Sequence, residues 1–128
     1  ISPQNIEGML QSIAHVGQSL VIGDRRPYLT ALIVPAFETL ERWAAEEGIS
    51  FASRKELAAH PKVQQHFESG LASVNEQMAR VEQVKKVTVL PQEFSQETGE
   101  LTPTLKVRRR VVLEMYNQQV EAMYSSTK

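Results

Sequence analysis

Two strand-like runs, residues 15–22 with Val16, Leu20, Val21 and Ile22, and residues 28–34, flank the segment Gly23-Asp24-Arg25-Arg26-Pro27. Glycine and proline punctuate that break, so the simplest geometry is a pair of antiparallel strands joined by a tight turn. A third run rich in valine, residues 84–90, stops at Pro91. So small a sheet cannot bury its apolar faces alone, and helical patterns fill most of the remaining chain. Ser2-Pro3 opens the first, with Ile6, Met9, Leu10 and Ile13 in one stripe. Residues 37–47 carry Phe37, Leu40, Trp43 and Ala44 on one side, with Gly48 as a stop. Ser53 and Glu56 have capping-box spacing, and His60-Pro61 ends the short helix they start. From Pro61 a longer helix is expected along Val63, Phe67, Leu71, Val74, Met78 and Val81, with Gly70 inside it. A last helix runs from about Arg108 to Tyr124, and residues 125–128 read as a frayed tail. The pattern predicts an α+β domain: a small antiparallel sheet of about three strands flanked by helices.

The chain of 128 residues is enough for one compact domain. It opens on Ile1 with a helix entry already under way, which leads to the expectation of a piece of a larger protein. Its formal net charge of −1 gives no electrostatic case for nucleic acid. Arg108, Arg109 and Arg110 read first as a solvated helix start. No apolar run reaches the roughly 20 residues that span a bilayer. With no cysteine there is neither disulfide, thiol nucleophile nor thiolate metal site, which fits a reducing compartment.

The chemistry-bearing candidates are few. The segment 99–109 places Lys106 after a Gly99-Glu100 turn and the run Thr102-Pro103-Thr104, just before a basic helix start. Pro103 fixes its own φ and biases Thr102 toward extended backbone, so these residues shape the lysine loop. By spacing alone Lys106 is an ordinary solvated loop lysine; Gly99 is a turn residue that shapes the loop, and Glu100 either helps orient the loop through a charge contact or is an ordinary solvated carboxylate. Arg25 and Arg26 lie in a turn that needs no function to explain it. The histidines His15, His60 and His66 have no carboxylate spacing that completes a metal site, and none is expected. Trp43 reads as a core anchor. There is neither a phosphate-cradling glycine-rich loop nor a nucleophile elbow.

An ordered set of segments covers nearly the whole chain: Asn5-Ile6-Glu7, then residues 23–35, Leu40-Glu41-Arg42-Trp43-Ala44, Val87-Thr88-Val89-Leu90-Pro91 with Phe94, and residues 99–106 with Arg109 behind. In this order they resemble the C-terminal domain of long-chain fatty-acyl-CoA synthetases, in the adenylate-forming superfamily. The Leu-Thr-Pro-Thr-x-Lys version looks like the long-chain branch; many superfamily relatives have Gly where this chain has Leu105. The resemblance implies a single C-terminal lid domain, residues 1–128. It would work with an N-terminal domain that holds ATP, Mg2+ and the fatty acid. The implied reaction forms acyl-AMP and then transfers the acyl group to CoA. Lys106 matches the lysine that serves the first step. Arg25, Arg26, Arg108 and Arg109 are candidate contacts to CoA or to the larger domain. The same resemblance implies a cytoplasmic enzyme able to associate peripherally with membranes. Two alternatives stay open: a relative that loads a carrier protein, and a non-catalytic α+β interaction module.

Overall fold

The computed structural model describes residues 2–125. Helix α1 (Pro3–Leu10) leads into strands β1 (Val16–Ile22) and β2 (Leu29–Pro35). Helices α2 (Phe37–Glu46), α3 (Arg54–Ala58) and α4 (Pro61–Asn75) follow, then a single 3-10 turn at Arg80–Glu82 and strand β3 (Val84–Val89). After a long loop come α5 (Arg109–Met115) and α6 (Asn117–Ser125). The predicted caps form. Ser2 Oγ accepts the Asn5 amide at 3.4 Å, and Ser53 Oγ accepts the Glu56 amide at 3.1 Å. Gly48, at φ 74°, closes α2 as a glycine can.

The strand order is β1-β2-β3. β1 and β2 are antiparallel, with Val21 opposite Ala31, as the short turn requires. β3 pairs with β2 in parallel, Ala31 opposite Val87, so the sheet is mixed and not antiparallel throughout. The reason is the connection: α2, α3 and α4 form a crossover long enough to carry the chain back to the end where β2 began.

Side chains alternate between the two faces of the sheet and feed two cores. Val21, Ala31, Ile33 and Val87 point one way, into α1, α2, α3 and α4 around Phe37, Leu57 and Phe67. Leu20, Ile22, Leu32 and Val34 point the other way, toward Leu90, Phe94, Val112, Tyr116, Val120 and Met123. β2 is therefore buried on both faces. It reads as a near-continuous apolar run because it is the middle strand.

Two helices differ from their sequence expectation. The seam from Val63 stops at Asn75, and Val81 lies on the 3-10 turn, 69% exposed. Asn75 turns its amide onto β3, accepting from Val84 N at 3.0 Å and donating to Val84 O at 2.9 Å. Those bonds end the helix although the apolar period continues past it. The last helix breaks at Tyr116 (φ −109°, ψ 28°), whose ring is buried in the second core. Of the tail expected to fray, residues 126–128 lie outside the described residues.

Candidate functional site

Lys106 sits on a tight hairpin. Leu101 bridges Val107 across its base, and both pack against the second core. Thr102 N donates to Lys106 O at 2.8 Å, and Leu105 N donates to Thr102 O at 2.8 Å. Three residues, Pro103, Thr104 and Leu105, thus form the loop. In such hairpins the third loop residue takes a left-handed conformation. Leu105 does so at φ 66°. For a bulky L-residue that conformation costs about 1–2 kcal/mol, which is why glycine is the usual occupant. Thr102 Oγ1 accepts the Lys106 amide at 3.0 Å and lies 3.1 Å from Thr104 Oγ1, which stiffens the turn. The Lys106 side chain is exposed, and among the described residues its ammonium has no acceptor.

Glu100 corrects the sequence expectation most sharply. It is fully buried, at 0% exposure, where a solvated carboxylate was expected. Its Oε1 accepts from Ser95 N at 3.1 Å and from the Thr98 hydroxyl in a short contact. The Thr98 amide donates to Ser95 Oγ at 3.0 Å, so the residues before the hairpin close on one carboxylate. The Glu100 carbonyl receives the Arg108 amide at 2.7 Å, which ties the two arms of the loop together. Oε2 of Glu100 is buried without a partner. Next to this charge, burial first and the Glu100 carboxylate second raise the Tyr116 hydroxyl above its ordinary pKa of 10.0. Gly99, at φ 99°, supplies the turn before it.

The four arginine candidates separate. Arg109 donates to Val21 O at 2.8 Å and to Glu7 Oε2 at 2.7 Å, while the same Glu7 oxygen accepts Val21 N at 2.7 Å. Together the two side chains replace a neighbouring strand at the open edge of β1. They also fix the start of α5, and so the exit of the lysine hairpin, to α1. Arg26 makes a two-pronged ion pair with Glu121 and stacks 4.5 Å over the Tyr124 ring. The Glu121 hydrogen bond raises the Arg26 pKa and lowers that of Glu121. Arg25 is exposed at φ 60°, with no partner among the described residues. Arg108 is exposed, and among the described residues its side chain reaches only the Gly99 carbonyl, at 3.4 Å. The structure therefore brings Gly99, Glu100, Thr102, Pro103, Thr104, Lys106 and Arg108 into one loop. It engages Arg26 and Arg109 in internal bonds.

The histidines do other work. His15, at φ 72°, stacks near Trp43 (5.9 Å) and His66 (5.2 Å), and its Nδ1 lies 3.0 Å from Thr39 Oγ1. Burial, and then the neighbouring His66, lower its pKa below 6.5. Trp43 is half-buried against the first core, consistent with an anchoring role. No cluster of three or more His, Asp or Glu able to hold a metal ion occurs among the described residues. Surface depressions of about 600 and 560 Å3 lie along β3 with α4 and α6, and between α1 and α4. Neither contains any of the arginine or hairpin candidates.

Sequence reasoning missed Glu7 as the partner of Arg109, because nothing local links positions so far apart. It also missed the burial of Glu100, whose partners meet only in the folded loop. The strain at Leu105 was legible in principle, since the Thr-Pro-Thr run sets the loop length.

The profile of the family described as "AMP-binding enzyme C-terminal domain" matches residues 1–128. A long-chain-fatty-acid–CoA ligase of Mycobacterium tuberculosis is 32% identical over 126 residues, covering 98% of this chain and 21% of that protein. One from Homo sapiens is 31% identical over 131 residues, covering 100% of this chain and 19% of that protein. The crystal structure of the adenylation domain of a carboxylate reductase from Mycobacterium chelonae superposes with a TM-score of 0.68 at 25% identity, over 98% of this chain and 18% of that one. The chain spans about a fifth of the length of the curated relatives it matches.

Proposed function

The chain belongs to the AMP-binding enzyme C-terminal domain family, and from that premise we propose that it is the lid domain of a long-chain fatty acid–CoA ligase. The reaction has two steps. A fatty acid carboxylate oxygen attacks the α-phosphorus of ATP; the α–β phosphoanhydride bond breaks and pyrophosphate leaves with its electron pair. The thiolate of CoA then attacks the acyl carbonyl and expels AMP. Most of both sites lies in the rest of the polypeptide, and residues 1–128 are the single lid domain that closes on them.

Lys106 serves the first step. Carboxylate and phosphate must approach each other, and negative charge spreads over the phosphate oxygens. A cation 4 Å away is worth about 1 kcal/mol in water but about 4 kcal/mol at an effective dielectric near 20. A lysine delivered into a closed cleft therefore lowers the barrier while staying protonated, by charge and alignment. The single observation that carries this reading is a pinned hairpin holding out an ammonium with no acceptor among the described residues. Of the four arginine candidates, Arg25 and Arg108, whose side chains are exposed, are the ones left to meet CoA phosphates. Mg2+ is expected with ATP in the rest of the protein, and no step here runs through it. No helix among the described residues is long and apolar enough to cross a membrane. A cytoplasmic enzyme that meets membranes peripherally is the expectation that goes with a lipid substrate.

The test uses the full-length protein. Lys106→Ala should slow acyl-adenylate formation about a hundredfold or more, while transfer of supplied acyl-adenylate to CoA continues near its normal rate. Equal loss in both half-reactions would overturn the role. A second reading, left open by the sequence, has a carrier protein as acceptor in place of CoA. Competition between the two acceptors for one pool of acyl-adenylate decides between them.

A further inference from the structure

Lys106 is not the only exposed side chain of the hairpin tip that the described residues leave unengaged. Its neighbour Leu105 holds a left-handed backbone at φ 66° and is 63% exposed. It joins neither hydrophobic core, although Leu101 and Val107, on the two arms of the same hairpin, both pack on the second. Two unfavourable features coincide here. A bulky side chain occupies a position suited to glycine or asparagine, and an apolar surface is left in water. Strain of this kind persists where it serves a site. Of the other two left-handed non-glycine residues, His15 at φ 72° is engaged by Thr39 and the His66 ring, and Arg25 at φ 60° exposes a charged group that water solvates well, so neither needs such an explanation.

Resting on the lid-domain reading above, we propose that Leu105 is a positioning residue. Its side chain docks into an apolar recess in the rest of the same polypeptide when the lid closes, and thereby fixes the depth and direction at which the Lys106 ammonium arrives. The occupant is the polypeptide outside this domain, which by the length of the relatives is several times larger than the domain itself. It is present at every turnover, and it is the surface that a lid must meet. Pro103, Thr104, Leu105 and Lys106 are all exposed, so the whole tip stands clear of the domain body. A flexible lysine alone locates its charge poorly; an apolar anchor one residue away removes that freedom.

The test compares Leu105→Asn, Leu105→Gly and Leu105→Met in the full-length enzyme, with Lys106→Ala alongside. Asparagine tolerates the left-handed backbone without the added flexibility of glycine. Adenylate formation should fall about tenfold in both Leu105→Asn and Leu105→Gly, mainly in kcat, equally for short and long fatty acids. The thermal midpoint should stay or rise, because the strain is relieved. Leu105→Met should keep most of the rate. If Leu105→Asn and Leu105→Gly adenylate at the normal rate while Lys106→Ala is slow, Leu105 has no docking role and the lid reading stands. If Lys106→Ala is itself normal, the lid reading falls first. A loss that appears as a higher KM and grows with acyl length would overturn docking to the protein and assign the contact to the substrate.

Discussion

Two basic turns of this domain look alike in sequence and behave differently in the fold. The β1–β2 turn carries Arg25 and Arg26; the 101–107 hairpin carries Lys106, with Arg108 and Arg109 behind it. Each turn holds one non-glycine residue in the left-handed region, Arg25 and Leu105 respectively. In the first turn Arg26 is bound to Glu121 and stacked on Tyr124, so much of its charge acts within the domain. In the second, the arms are held by Glu100 and Arg109, and the tip offers a bare ammonium beside a strained leucine. Basic composition alone thus separates nothing. A rigid base with a tip that satisfies neither its charge nor its apolar surface is what separates the second turn from the first, and the proposed action outside the domain rests on that difference.

The comparison breaks most easily at the two exposed cations. Lys106→Ala should lower adenylation about a hundredfold or more, whereas Arg25→Ala removes the same charge and should leave adenylation within about twofold. Any effect of Arg25→Ala should fall on the KM for CoA. A similar adenylation loss in both variants would mean that net charge, and not the hairpin, matters.

The next effect concerns the base of the hairpin. Glu100→Ala leaves the Ser95 amide and Thr98 hydroxyl without their acceptor and should destabilise by about 1–3 kcal/mol. Glu100→Gln keeps an acceptor oxygen in place and should cost less. Urea unfolding midpoints check both, and equal losses would show that the negative charge matters and not the side-chain volume or a single acceptor oxygen, because glutamine keeps both of these.

Arg109→Ala should cost about 1–2 kcal/mol, since it removes charge-assisted bonds to Val21 O and Glu7 from a site still partly open to water. Glu7→Gln should recover part of the loss when combined with it, which a double-mutant cycle in urea would read.

The smallest effect belongs to the Arg26–Glu121 pair. The Glu121 carboxyl is held below its ordinary 4.5 by the Arg26 hydrogen bond. A depressed folded pKa stabilises above the unfolded value, and that contribution disappears as pH falls through the folded value. Glu121→Gln should therefore lower the thermal midpoint slightly at neutral pH and not at all in strong acid. High salt should shrink the difference, because the pair is exposed.

Much of the fold is legible in the sequence because burial imposes a period. The apolar runs locate all three strands, and the caps at Ser2 and Ser53 place two helix starts within a residue. The direction of β3 is not legible, because parallel or antiparallel pairing depends on which end the crossover returns to, and no residue in β3 encodes that. The end of α4 is hidden for a related reason. Met78 and Val81 continue its period, and only the fold lets Asn75 reach Val84. At the site, Lys106 stands out by its motif, while Glu100 does not. A buried glutamate looks like any other until Ser95 and Thr98 close around it.

The central claim is that the Lys106 ammonium, idle within its own domain, is carried to a reacting acyl–nucleotide pair. Amine-reactive footprinting of the full-length protein tests this directly, with exposed Lys62 as internal reference. Lys106 should react readily in the free enzyme and become protected when fatty acid and a non-hydrolysable ATP analogue are both bound, while Lys62 stays unchanged. Equal reactivity of Lys106 in the free and fully loaded states would contradict the account.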